Sequence, residues 1–158
     1  MIFDEIETAL ATFLTSKMGT DHVSIIPNPD KDEEFERVFG KELIIVAFSD
    51  EEPSQDQKSL GMVYQEASVT FAFLIQSNSL RSGSNKLGVY GLYKELKKYI
   101  IGHVPNGGQA FTYAGFKFLA KENGVFQYAA YFKTKTFEAQ QTDNDDEIKF
   151  NLREVSIK

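Results

Sequence analysis

The stretch NGVFQYAAYFKTKTFEA, Asn123 to Ala139, decides the reading of this chain. From Val125 one parity carries Val125, Gln127, Ala129, Tyr131, Lys133, Lys135 and Phe137. The other carries Phe126, Tyr128, Ala130, Phe132, Thr134, Thr136 and Glu138. Successive strand side chains alternate between faces, so a long strand is predicted whose first half is apolar on both sides. That half needs cover on each face near Gly124. Helices are the expected cover on one face, and a partner subunit would serve on the other.

The pair Asn123-Gly124 is the strongest short hairpin signal in the chain, because a tight two-residue turn needs left-handed backbone at both positions. It predicts a hairpin of residues 111–122 with 125–139. Upstream, Val89, Leu92, Leu96, Tyr99 and Ile100 form a helical stripe opposite Lys94, Lys97 and Lys98. Met62 to Gln76 reads as one long strand, and Glu42 to Phe48 as a buried strand. Between them SDEEPSQDQKS, Ser49 to Ser59, is almost wholly polar and is expected to be an exposed, mobile loop. NPDKDEEFERVF reads as a turn feeding a short helix, and HVSII as a short strand. Ile2, Phe3, Ile6, Ala9, Leu10, Phe13 and Leu14 recur at three and four residues, predicting a helix from about Ile2 to Lys17. The order gives an α+β domain, two principal helices on one face of a mostly antiparallel sheet. It should occupy residues 1–139, with 140–158 a charged linker and a C-terminal arm or extra strand.

With 158 residues, 42% of them hydrophobic, the chain can bury a core without staples. It has no cysteine, which excludes disulfides, thiolate metal sites and thiol nucleophiles. The amino terminus carries Asp4, Glu5 and Glu7 where a leader would be basic, and no apolar run is long enough to cross a bilayer, so a soluble cytoplasmic product is expected. Net charge is −6, but residues 1–79 hold 5 Lys+Arg against 15 Asp+Glu, and residues 80–139 hold 9 against 3. Copies could therefore attract one another, acidic surface to basic surface.

Catalytic apparatus is hard to find. His22 and His103 belong to no ligand pattern and read as surface or turn residues, while the acidic runs at Asp30 and Asp143 read as solvated loops. RSGSNKLGVYG, Arg81 to Gly91, fits no phosphate-loop spacing; Ser84 or Asn85 reads as an N-cap, with Gly83 giving the turn its freedom. Neither a nucleophile elbow nor a cofactor motif occurs, so the expectation is no enzyme, no metal and no cofactor.

Taken in order, IFDEIETAL, GKELIIVAFSD, YQEASVTFAFLIQSNSLR, GVYGLYKELKKYI and NGVFQYAAYFKTKTF resemble the Mu-like phage small tail proteins, which are similar in fold to lambdoid tail terminator proteins. The resemblance covers residues 1–139; that family often has tryptophan where Phe126 stands here. It implies a structural subunit of a phage or prophage contractile tail, or of a secretion machine derived from one. Such a subunit caps the tail tube as a ring, typically a hexamer, and meets the tail tube protein and the head-tail connector protein. It would be made in the bacterial host cytoplasm and end in the virion tail. The expected interface charges are Arg81, Lys86 and Lys94 on the basic side, with Asp50, Glu51 and Glu52 opposite. The alternative is a nucleic-acid-binding module using Lys94, Lys97, Lys98, Lys117, Lys133 and Lys135.

Overall fold

A computed structural model of the chain describes residues 1–19, 22–30, 42–59 and 63–139. Helix α1, Phe3–Met18, is followed by strands β1, Val23–Pro27, β2, Glu42–Ser59, and β3, Val63–Ser77. Helix α2, Gly88–Ile100, and the hairpin of β4, Thr112–Glu122, with β5, Val125–Ala139, complete the described chain. The five strands lie in the order β1-β2-β3-β5-β4. Only β1 is parallel to its neighbour; the other three pairings are antiparallel. The α+β reading is correct, as are the long strand, the hairpin and both principal helices.

The turn behaves as its sequence demands. Asn123 and Gly124 have φ of 51° and 78°, the left-handed backbone of a hairpin turn whose twist suits the strands it joins. The helices pack on one face, α1 over β1 and β2 and α2 over β3 and β5. Ile6, Leu10 and Leu14 of α1 and Val89, Leu92, Leu96 and Ile100 of α2 meet Ile44, Val46, Phe71, Phe73 and Phe132 in one core. Register aligns Phe48 with Phe71, Phe71 with Phe132, and Phe132 with Tyr113, so an aromatic row crosses four strands. Phe3 of α1 stacks on one end of it, with ring centroids 3.9 Å apart from Phe48.

The helix-side parity of β5 is Tyr128, Ala130, Phe132, Thr134 and Thr136. The two threonines are buried although polar, and the connection from α2 to β4 explains them. Thr134 Oγ1 donates to the Gln109 carbonyl at 2.5 Å and accepts from its N–H at 2.9 Å, and Thr136 Oγ1 donates to the Gly107 carbonyl. Phe111 closes this connection onto Phe71. On the opposite face Leu43, Ile45, Ala72 and Ala129 are also buried, as the double-sided apolar pattern requires.

One sequence expectation is overturned. Ser49 to Ser59 is not a loop but the outer half of β2, paired with β3 from Asp50↔Thr70 to Ser59↔Val63. Register shifts after Phe48 and after Pro53 show how the strand accommodates its irregular sequence. Pro53 lacks an N–H and is tolerated beside such a shift on a strand whose outer side has no described neighbour past Val46. The short helix expected after Asn28, the acidic run at Asp143 and the segment 140–158 lie outside the described residues, except for Asn28, Pro29 and Asp30.

Candidate interaction surface

The structure separates the expected interface charges. Asp50, Glu51 and Glu52 lie exposed on β2 beyond its last pairing with β1, on the side of the sheet that also carries Asp4 and Glu5 of α1 and Asp30. Lys94 lies exposed on α2, on the other side. Arg81 and Lys86 are neither on one edge nor beside Asp50: they sit in the connection from β3 to α2. There the Lys86 backbone bridges to Gly83 and its ammonium donates to the Asn78 side-chain carbonyl. Lys86 is thus tied into its own loop.

That connection also corrects the expected cap. Helix α2 begins at Gly88, and neither Ser84 nor Asn85 caps it; Asn85 instead takes left-handed backbone, with φ of 57°. The cap comes from a distant strand. Glu42 Oε1 accepts from the Leu87 N–H and Oε2 from the Gly88 N–H, both at 2.8 Å, while Ser77 Oγ donates to Oε2 at 2.7 Å. A buried carboxylate already satisfies the positive end of this helix, so a phosphate would meet a negative charge where it needs free donors.

Beside α2, the hairpin builds an aromatic ledge that the sequence reading did not find. Tyr93 of α2 stacks on Phe116 of β4 at 3.9 Å, Phe116 on Tyr128 of β5 at 5.0 Å, and Phe118 meets Tyr128 edge-on at 5.3 Å. Strict alternation would put Tyr113 and Phe116 on opposite faces. A register shift between Tyr113 and Gly115 instead brings Tyr113, Phe116 and Phe118 to the helix side. Gly115, with φ of 146°, was the available signal, since glycine inside a strand pattern marks a bulge. Burial, with a hydrogen bond to Tyr113, raises the Tyr93 pKa, and burial, with a hydrogen bond to Tyr90, raises that of Tyr128. The ledge therefore favours the neutral form of these two phenols. Tyr90, Tyr113 and Phe118 remain 44%, 49% and 53% exposed.

Cations surround it. Lys97 lies 4.4 Å over the Tyr93 ring and Lys121 4.7 Å over Phe126. Lys94 and Lys98 are exposed on α2, while Lys117 and Lys133 are exposed from the hairpin on the opposite face of the sheet, in line with Ala129 and Thr70. One ion pair occurs among the described residues, Lys135 to Glu66 at 3.3 Å, so the remaining lysines here have no described carboxylate partner. The charge division along the chain has become a division across the sheet.

His103 stacks on Phe13 at 4.3 Å, and burial lowers its pKa; it faces no described carboxylate or nucleophile. Among the described residues no group of three His, Asp or Glu side chains could hold a metal, and no helix is long and apolar enough to cross a membrane. A shallow groove between α1 and β1 is lined by Thr8, Thr12, Thr15, Ser16, Ile25 and Pro27, hydroxyls and apolar groups without a charged partner.

Fold and surface together define a small α+β protein with an exposed aromatic ledge bordered by lysines. The chain belongs to the Gp37 protein family, which it matches over residues 12–155, a phage-type family. The match runs past residue 139, further than the resemblance read from the sequence. No curated protein matches the chain.

Proposed function

We propose that this protein is a non-catalytic structural subunit of a phage or prophage tail. Copies of it form a closed ring, in the number of a hexamer, that caps the tail tube and presents a surface to the head-tail connector. Assembly takes place in the host cytoplasm and the ring ends in the virion tail. Membership of a phage-type family supports the setting. The observation that carries the reading is the unlikeness of the two sides of the sheet: acidic along β2 and α1, basic and aromatic along β4 and α2. Unlike sides favour head-to-tail contacts, which generate rings when the rotation closes.

The test is assembly of the purified full chain over a range of concentration and salt, followed by sedimentation and electron microscopy. Then a tail tube protein from the same phage or prophage is allowed to polymerise in its presence. Closed rings and arrested tube growth are expected. A species that stays monomeric or dimeric at high concentration and low salt, alone and beside the tube protein, would rule out the ring; unarrested tubes would rule out the cap.

A further inference from the structure

We infer that the aromatic ledge is the acceptor half of the subunit contact, and that it receives the acidic outer half of β2 from a second copy of this chain. The inference rests on the ring reading and assigns its two surfaces. Tyr90, Tyr113 and Phe118 form an exposed apolar patch beside the stacked Tyr93, Phe116 and Tyr128, so it is rigid and already ordered before any partner arrives. Rigid tyrosines lose little entropy on binding and are enriched at the energetic centres of interfaces. A contiguous apolar patch rimmed by charge marks an interaction site more often than an idle surface.

Charge selects the occupant. Lys94 and Lys121 border the ledge, and neither has a described carboxylate partner, while Lys117 projects from the same edge strand on the opposite face. Asp50, Glu51 and Glu52 are exposed on the far side of the same sheet and likewise have no described cation partner. A two-fold contact of ledge with ledge would set lysines against lysines, which complementary interfaces avoid. The head-to-tail contact instead sets three carboxylates against the lysine rim. Strand direction agrees with it. β4 runs antiparallel to β2 through the intervening β3 and β5, so copies placed side by side in the same orientation bring an antiparallel pair of edges together. A polyanion such as nucleic acid would find the same lysines, but also the acidic α1 and β2 side of a chain with net charge −6.

The absence of cysteine allows a direct test. Full-length chains carrying Glu51→Cys or Lys94→Cys are mixed at low salt and treated with a short bismaleimide. Cross-links between the two variants, lost at high salt, are the expected result. Cross-links of Lys94→Cys with itself would show the two-fold contact and overturn the inference. Assembly without cross-links between the variants would overturn it while leaving the ring reading intact. A wild-type chain that does not assemble, alone or beside the tube protein, would sink both.

Charge reversal gives an independent readout. Lys94→Glu with Lys121→Glu, and Asp50→Lys with Glu51→Lys and Glu52→Lys, should each weaken assembly at least about tenfold, a loss of about 1.4 kcal/mol. A mixture of the two reversed chains should assemble again, because each then complements the other. Failure of the mixture, with both variants folded by circular dichroism, counts against the pairing. So does tight binding of labelled DNA or RNA that is abolished by the ledge reversal alone.

Discussion

The carboxylate of Glu42, the first residue of β2, accepts a hydrogen bond from the backbone N–H of Gly88, the first residue of α2, at 2.8 Å. With Leu87 N–H and Ser77 Oγ on the same group, one buried side chain joins the starts of β2 and α2 to the end of β3. Glu42→Ala should cost about 2–4 kcal/mol, since it leaves buried donors unpaired and removes hydrogen bonds to a charged acceptor. Glu42→Gln keeps one acceptor and should cost less. Denaturant titration decides: a loss for Glu42→Ala no greater than that of an exposed glutamate would show that the clamp contributes nothing.

Gly88 tests the same junction from the other side. Its φ of 73° disfavours any side chain, and a Cβ there would lie 2.6 Å from the Arg81 carbonyl carbon and oxygen. Backbone cannot step aside as a flexible side chain can, so Gly88→Ala is expected to destabilise by about 1–3 kcal/mol or more. Gly83 has nothing within 4 Å of a built Cβ and no positive φ in the left-handed range, so Gly83→Ala serves as the mild control. Equal melting temperatures for the two variants would contradict this.

Two groups should give stability opposite slopes with pH. Burial raises the Glu7 pKa above its ordinary 4.5, and nearby Asp4 and Asp30 add to the rise, although the Phe48 N–H donated to its carboxylate opposes it. The folded state then holds the proton longer, so this contribution is full below 4.5 and is lost as pH rises through the folded value. Burial lowers His103 below 6.5, so its contribution is full above 6.5 and is lost as pH falls through its folded value. Glu7→Gln, which retains an acceptor for Phe48, should remove the first slope, and His103→Phe the second. Melting curves from pH 4 to 8 that keep both slopes in the double variant would refute the assignment.

The outer half of β2 should resist cleavage. Asp50 to Pro53 pairs with Thr70 to Ala67 of β3, and the Gln65 side-chain amide donates to the Ser54 carbonyl. Backbone held in a ladder does not enter a protease active site without local unfolding. Limited proteolysis with a glutamate-specific enzyme should therefore spare the bond after Glu51 under native conditions. Rapid cutting there would restore the loop reading.

What the sequence revealed, and what it concealed, follows from the range of each interaction. The turn at Asn123-Gly124 and the stripes of α1 and α2 are local, set by residues a few positions apart, and all are found where expected. The outer half of β2 was missed because its pairing comes from β3, and polar residues carry no hydrophobic alternation to announce a strand. Glu42 was missed as a cap for a similar reason. Its partners lie far along the chain, whereas capping rules look to the residues beside the helix. The division of charge was legible, and with it the unlikeness of two surfaces, but not their placement across one sheet. The ledge was hidden by a bulge, because one extra residue after Tyr113 reverses the parity on which any reading of β4 depends.

Strand order has a consequence for synthesis. β3 is the central strand, yet one of its two neighbours, β5, follows every other described element along the chain. A ribosome-bound chain that has released only α1 to α2 therefore holds β3 with one bare edge along Val69, Phe71, Phe73 and Ile75, and no covalent neighbour yet made to cover it. Unpaired apolar edges recruit other strands. Truncation before Val125 should consequently yield insoluble protein, and the last described strand to emerge is also the one that makes the nascent sheet safe.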